Sequence, residues 1–372
     1  MLQLKEVKNQ LVAGQATKTF DFFIQWHLTE RCNLRCRHCY QGRRRPAEMS
    51  IGELKQEIDG AMEMFAAWEE EYDISLSPSI HFTGGEPFVF QGLWDVIAYA
   101  RQRGCNVAIL TNGSLVKAED AARASRLGIV DVQVSLEGPA ELHDGIRGPG
   151  SFAAAVKGAR LLIEAGNKVS ANMTLSGLNV GSIEETAAIA KGIGFAGMGF
   201  SRLVPCGSGE SLLANMLTSS EIRSAYQRAL ASSSQSFAVT SGDPLAGVLS
   251  GVKPPPQSPL TLSGCSAGFS GITITSDGSV MACRRIGLKI GNLRRTSLRQ
   301  IWSSSKLLWR LRQRESYQGK CGQCPLWPSC RGCRAVAYAY SKSHGTPDLF
   351  ADDPQCWMMC PEEAVPTKSR SG

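Results

Sequence analysis

The chain has 372 residues, 43% of them hydrophobic, with a formal net charge of +7 and thirteen cysteines. That length exceeds one typical domain and predicts a core domain with an appendage. There is no apolar run of about eighteen residues and no basic-then-apolar leader, which excludes a transmembrane helix and points to a soluble, cytoplasmic protein with no membrane role. The basic residues are scattered apart from Arg43, Arg44 and Arg45. With no aromatic-interleaved basic stripe, nucleic acid is not an expected partner. The triplet reads either as a solvated loop or as a patch for an acidic peptide.

Thirteen cysteines without a secretory signal point to metal rather than disulfides. Eleven lie in two groups, 32–39 and 265–360, and Cys105 and Cys206 stand apart.

Residues 1–21 form a polar lead-in, too short for a peptide-binding domain, so a leader-recognition module is expected on another chain. The run 22–26 reads as a buried strand. Directly after it, TERCNLRCRHCYQ places Cys32, Cys36 and Cys39 in a C-x3-C-x2-C spacing. Three thiolates on one loop can hold three irons of a 4Fe-4S cube, and such cubes normally have four cysteines. The fourth iron is then left open, and open metal positions do chemistry. Tyr40 follows the last cysteine, where it could cover the ligand at that position. A structural zinc loop or buried thiols are the plainer alternatives.

Ser50 and Glu53 form a capping-box pattern that opens a helix over 50–70. Strands follow at 79–82, 105–110, 132–136, 168–175 and 198–203, with helices at 92–103, 118–126, 152–165 and 182–193 between them. Six strands alternating with helices predict an α/β fold, either a parallel barrel or an open sheet. In such folds the site lies at the carboxyl ends of the strands. Those ends carry Gly84-Gly85-Glu86-Pro87, Thr111-Asn112-Gly113 and Ser135-Leu136-Glu137-Gly138. After a helix at 218–232, residues 233–264 are rich in Ser, Gly and Pro and read as a linker. The last segment, 265–372, gives Cys265, Gly278 and Cys283 flanking a hairpin signal at Asp277-Gly278. It continues with Cys321, Cys324, Cys330 and Cys333 in a C-x2-C-x5-C-x2-C run, then Cys356 and Cys360. A zinc ribbon would use that quartet but leave Cys265, Cys283 and Cys356 idle.

The cysteine loop resembles the signature of the radical S-adenosylmethionine (radical SAM) superfamily, and the C-terminal cysteines resemble its SPASM extension. The resemblance runs from about residue 22 to Cys360. It implies a partial parallel (β/α)6 barrel over 22–232 and a small cysteine-rich α+β domain over 265–372. Three 4Fe-4S clusters are implied: the core one on Cys32, Cys36 and Cys39, an outer one on Cys321, Cys324, Cys330 and Cys356, and an inner one on Cys265, Cys283 and Cys333. The GGEP stretch, with Gly84, Gly85 and Glu86, resembles the motif that grips the SAM amino group. Ser135 and Glu137 resemble the segment at the ribose and carboxylate end of SAM, and Arg147 matches an arginine that pairs with its carboxylate. Asn112, Asn172 and Arg202 stand where relatives line the ligand. The spacing departs from the commonest SPASM pattern in one place, since only Arg331 and Gly332 separate Cys330 from Cys333.

The implied activity is reductive cleavage of SAM to a 5'-deoxyadenosyl radical and oxidative modification of a ribosomally made peptide, forming a thioether or another crosslink. Precursor peptide, a separate leader-recognition protein and a ferredoxin or flavodoxin reductant are the implied partners. Modification of porphyrin side chains in heme biosynthesis is the alternative that the short Cys330 to Cys333 loop keeps open. A non-catalytic iron-sulfur carrier or scaffold is a third reading, against which the SAM-type loops speak. The inner cluster has three assigned cysteines, so its remaining iron is expected either to meet substrate or to be closed by Cys206 or Cys360.

Overall fold

The computed structural model describes residues 19–42, 46–249 and 264–358. The Arg43 to Arg45 triplet, Cys360 and most of the lead-in lie outside the described residues. The first strand, β1 (Thr19–Thr29), is longer than its apolar centre predicts, because residues 19–21 extend it along its neighbour. Phe22, Ile24, Trp26 and Leu28 are all buried along it. Next come β2 (Ser75–Gly84), β3 (Asn106–Thr111), β4 (Asp131–Ser135), β5 (Val169–Leu175) and β6 (Gly197–Arg202), each paired in parallel with the one before. The helices expected between them are present: α1 (Ile51–Tyr72), α2 (Leu93–Gln102), α3 (Ala118–Arg126), α5 (Ser151–Glu164) and α6 (Ile183–Ile193). An unexpected short helix, α4 (Ala140–Arg147), lies between α3 and α5.

The local chemistry explains these boundaries. At the start of α1, Ser50 Oγ accepts from the Glu53 amide at 3.2 Å and the Glu53 carboxylate accepts from the Ser50 amide at 2.7 Å, a closed capping box. Leu54, Ile58, Ala61 and Phe65, spaced by three and four, form the buried face of the helix. A parallel sheet needs such crossovers, and they bring every strand end to one rim.

One expectation about domain organisation is corrected. The stretch 233–264 is not simply a linker: after α7 (Ser219–Ala231), β7 (Ala238–Thr240) adds in parallel to β6, and α8 (Pro244–Leu249) follows. Phe237, Val239 and Leu245 are buried among the Ser and Gly whose abundance made the segment read as a linker. The proline run falls outside the described residues.

The C-terminal segment joins the barrel through the sheet. Its hairpin, β8 (Gly271–Ile274) and β9 (Ser279–Met281), continues into β10 (Lys289–Asn292), and β8 pairs in parallel with β1, Phe23 opposite Gly271 and Trp26 opposite Ile274. One ten-stranded sheet results, ordered β10-β9-β8-β1-β2-β3-β4-β5-β6-β7. Trp302, on α9 (Leu298–Ser304), stacks edge-on to Phe22 at 5.1 Å between centroids, and Trp68 of α1 meets the same Phe22 ring at 5.6 Å. Each such pair adds about 0.5–1.5 kcal/mol beyond its burial. The segment ends in α10 (Lys306–Leu311), α11 (Gly319–Gln323) and α12 (Arg334–Ser343). No helix among the described residues is long and apolar enough to cross a membrane.

Candidate active site and cluster sites

At the carboxyl end of the strands lies a cavity of about 840 Å³. Cys32, Cys36 and Cys39 border it from the loop after β1, with Tyr40 beside them. Gly84 and Gly85 border it from the end of β2, and Asn112, Ser135 and Asn172 from β3, β4 and β5. Arg147 and Arg202 complete the predicted set along its wall. Glu86 and Glu137 do not border the cavity.

The cysteine loop is held by its neighbours. Arg37 N donates to Ile146 O of α4 at 2.9 Å, and Gly209 N donates to Cys39 O at 3.1 Å. The GGEP strip packs directly on the loop's first residues, with Gly85 N on Thr29 O at 2.8 Å and Glu86 N on Arg31 O at 2.9 Å. A Cβ at Gly85 would sit 2.0 Å from Arg31 O, so this contact requires glycine.

Three predicted ligand contacts take other roles. Glu86 is fully buried; its carboxylate accepts from Thr111 Oγ1 at 2.6 Å, Asn112 N at 2.8 Å and Phe88 N at 3.2 Å, pinning the GGEP loop to the end of β3. Burial pushes its carboxyl up to about 7, against those donors. Glu137 is also fully buried and accepts from His38 Nε2 at 2.8 Å, Arg147 Nε at 3.0 Å and Arg147 Nη2 at 2.5 Å. Burial alone would raise this carboxyl, but His38 and Arg147 outweigh it and hold it well below the usual range. Glu137 thereby braces His38 and Arg147, both of which border the cavity.

Arg202 has all five N–H donors occupied by protein: Nε and Nη2 on Asp243 (2.9 and 3.1 Å), Nη1 and Nη2 on Asp353 (2.9 and 2.8 Å), and Nη1 on Gln355 (3.1 Å). It has no donor left for adenosine and instead ties β6 to the C-terminal segment. Arg147 borders the cavity, and its Nη1 lies 3.8 Å from Cys36 Sγ.

The donor set fits an iron-sulfur cluster. All twelve described cysteines are free of disulfides. N–H groups aim at the core sulfurs, Leu34 N at Cys32 Sγ (3.4 Å) and Asn112 Nδ2 at the same atom (3.9 Å), as cluster thiolates require.

In the C-terminal segment, Cys321, Cys324, Cys330 and Cys356 border a second, smaller pocket, and Cys265, Cys283 and Cys333 do not. That partition follows the outer and inner sets. The short Cys330 to Cys333 link is made by two consecutive left-handed residues, Arg331 (φ 65°) and Gly332 (φ 58°). A Cβ at Gly332 would meet Asp353 Cβ at 2.9 Å. Neighbouring carboxylates fix the cysteine backbone: Asp353 accepts from Cys333 N at 2.8 Å and Asp352 from Cys321 N at 2.8 Å. Cys206, half-buried, has its thiol pushed up to about 12 by desolvation and is an electrostatic neighbour of Cys283.

The radical SAM superfamily model matches residues 26–190, and that of an iron-sulfur cluster-binding domain, SPASM, matches residues 265–334. An AdoMet-dependent heme synthase of Oleidesulfovibrio alaskensis is 29% identical over 354 residues, covering 90% of this chain and 86% of that protein. Mycofactocin maturase MftC of Mycobacterium tuberculosis is 32% identical over 358 residues, covering 92% and 84%. The chain belongs to the radical SAM superfamily. In fold, this radical SAM enzyme is similar to Streptococcus suis SuiB bound to precursor peptide SuiA, with TM-score 0.71, 17% identity, and 96% of this chain and 79% of that chain covered.

Several residues of this radical SAM enzyme's site escape a reading by motif. His38 lies between two cysteines, where attention goes to the thiols; only its spacing to them signals it. Asp243 comes from the segment read as linker, and Asp353 from the cysteine-rich domain, where attention goes to the thiols. Arg284 and Arg285 border the cavity directly after Cys283, an adjacency visible in the sequence. Arg284 lies over the Tyr40 ring, 5.2 Å from its centroid.

Proposed function

We propose that this radical SAM enzyme oxidatively modifies a ribosomally synthesised precursor peptide, by a thioether or other crosslink. One observation carries the reading. The cavity is continuous from Cys32, Cys36 and Cys39 to Arg284 and Arg285, next to Cys283, so a substrate held in it lies between the core cysteines and the inner auxiliary set. When bound, the core cluster and SAM supply a 5'-deoxyadenosyl radical able to abstract hydrogen from an unactivated carbon. The chain's residues bind and orient. Arg147, braced by Glu137, would hold the SAM carboxylate; Gly84 and Gly85 offer backbone groups to its amino end; Asn112, Ser135 and Asn172 would line the nucleoside. The inner and outer cysteine sets would hold two auxiliary 4Fe-4S clusters able to accept the electron left on substrate. A ferredoxin or flavodoxin reductant, a separate leader-recognition protein and a cytoplasmic setting belong to the same reading. The named functions of MftC and the peptide complex of SuiB support it.

Porphyrin side-chain modification is favoured by one specific observation, the two-residue Arg331-Gly332 link together with the heme synthase relative. The two readings separate in one experiment. Anaerobically reconstituted enzyme with SAM and dithionite is given either a synthetic Cys-containing peptide or iron coproporphyrin III, and 5'-deoxyadenosine and product mass are followed. Peptide-dependent turnover with a product lighter by two hydrogens is expected. Turnover on the porphyrin alone would replace the peptide reading.

A further inference from the structure

The cavity wall carries six arginines, Arg35, Arg37, Arg147, Arg202, Arg284 and Arg285, against one carboxylate, Glu30. Most of these charges are already answered. Glu30 is bound by Gln41 (2.5 Å) and His27 (3.2 Å). Arg147 is paired with Glu137, Arg202 with Asp243 and Asp353, and Arg35 and Arg37 are exposed at the rim. Arg285 donates to Arg202 O at 3.3 Å and has Cys283 and Cys333 as electrostatic neighbours.

Arg284 is different. Among the described residues it makes no hydrogen bond and no ion pair, and its Nε is buried without a partner. Its guanidinium lies over the face of Tyr40, 5.2 Å from the ring centroid. A guanidinium nitrogen buried without an acceptor is costly, and two adjacent cations add repulsion. The planar fork of an arginine matches a carboxylate in two parallel N–H···O bonds, and Tyr40 fixes the plane of this one. Arg147 already stands beside the core cysteines for the carboxylate of SAM, whereas Arg284 comes from the auxiliary side of the cavity.

Resting on the radical SAM reading of this cavity, we propose that Arg284, with Arg285 behind it, is the receptor for a carboxylate on the substrate. The substrate is therefore anchored by an acidic group at Arg284, over Tyr40, with its reacting carbon in the same cavity as the core cysteines. A peptide's terminal or side-chain carboxylate and a porphyrin propionate share this chemistry.

The test uses two probe pairs on reconstituted holoenzyme with SAM bound. One is coproporphyrin III against its tetramethyl ester; the other is a Cys-containing peptide with a free C-terminal carboxylate and an acidic residue against its amidated, Gln-substituted form. One pair is expected to show a carboxylate preference of about ten- to a hundredfold in dissociation constant. Arg284→Gln should abolish that preference and Arg284→Lys should keep part of it, with SAM affinity and iron content unchanged in both. Preference confined to the porphyrin pair upholds the receptor and sinks the peptide reading. Indifference in both pairs, by equal binding or none, overturns the receptor even where the peptide is modified. A loss of SAM affinity in Arg284→Gln, or of auxiliary iron in Arg284→Lys, overturns it too, assigning the arginine to SAM or to the inner cluster.

Discussion

Asp353→Asn tests the join between barrel and C-terminal segment most directly. Asp353 is fully buried, takes two N–H groups of Arg202 and the backbone amide of Cys333, and has only donors around it. Burial tends to raise its carboxyl, but Arg202 prevails and holds it below the ordinary range. Asparagine keeps one acceptor and turns an NH2 toward those donors, while Arg202 is left with Asp243 alone as its counter-charge. Breaking a buried ion pair from one side costs about 3–5 kcal/mol. Against a total stability of about 5–15 kcal/mol that is a large fraction, and it should lower the melting temperature by about 5 °C. Because the same carboxylate fixes Cys333, auxiliary iron should fall while the iron held by Cys32, Cys36 and Cys39 stays. Iron analysis, paramagnetic resonance and thermal melting read both effects. The companion triple variant Arg202→Met with Asp243→Asn and Asp353→Asn should recover part of the loss, since it removes the cation and both of its carboxylates together. An Asp353→Asn protein melting within about 2 °C of wild type with full auxiliary iron would refute the assignment of this ion network as the join.

Replacing Cys32, Cys36 and Cys39 together with Ala should remove about a third of some twelve irons per chain and all 5'-deoxyadenosine formation, checked by iron analysis and chromatography. Arg147→Ala should weaken SAM binding about ten- to a hundredfold with iron intact, measured by equilibrium dialysis, and an unchanged affinity would remove Arg147 from the SAM site. Gly85→Ala should displace GGEP from the Arg31 carbonyl and lose SAM binding, while Gly42→Ala, with open space around it, should not. Glu86 titrates near 7 in the fold and near 4.3 when unfolded, so the folded state holds its proton more tightly. Stability from this group is present at low pH and falls by about 3 kcal/mol as pH rises from about 4.5 to 7; Glu86→Gln should flatten that slope in melting curves.

The sequence was most legible where local signals agree. Ser50 with Glu53, the alternation of strands and helices and the C-x3-C-x2-C loop each state a structure without help from distant residues. The short β7 was hidden because three apolar residues in a Ser- and Gly-rich stretch gain their strand only from the waiting edge of β6. Glu86 and Glu137 were legible as site residues but not as supports, because their partners, Thr111, His38 and Arg147, are brought up by topology. Arg202 misled for the same reason: its two carboxylates lie 41 and 151 residues away.

The pairing of β8 with β1 has a consequence during synthesis. The partner for the open edge of the first strand is made about 250 residues after it, so at about 5–20 residues per second that edge stands exposed for roughly 12–50 s on the ribosome. An unpaired apolar strand edge invites aggregation. Shielding by a chaperone during that interval, and delivery of iron and sulfide to the Cys32 to Cys39 loop before the hairpin closes over its strand, would make the yield of active enzyme depend on the pace of translation.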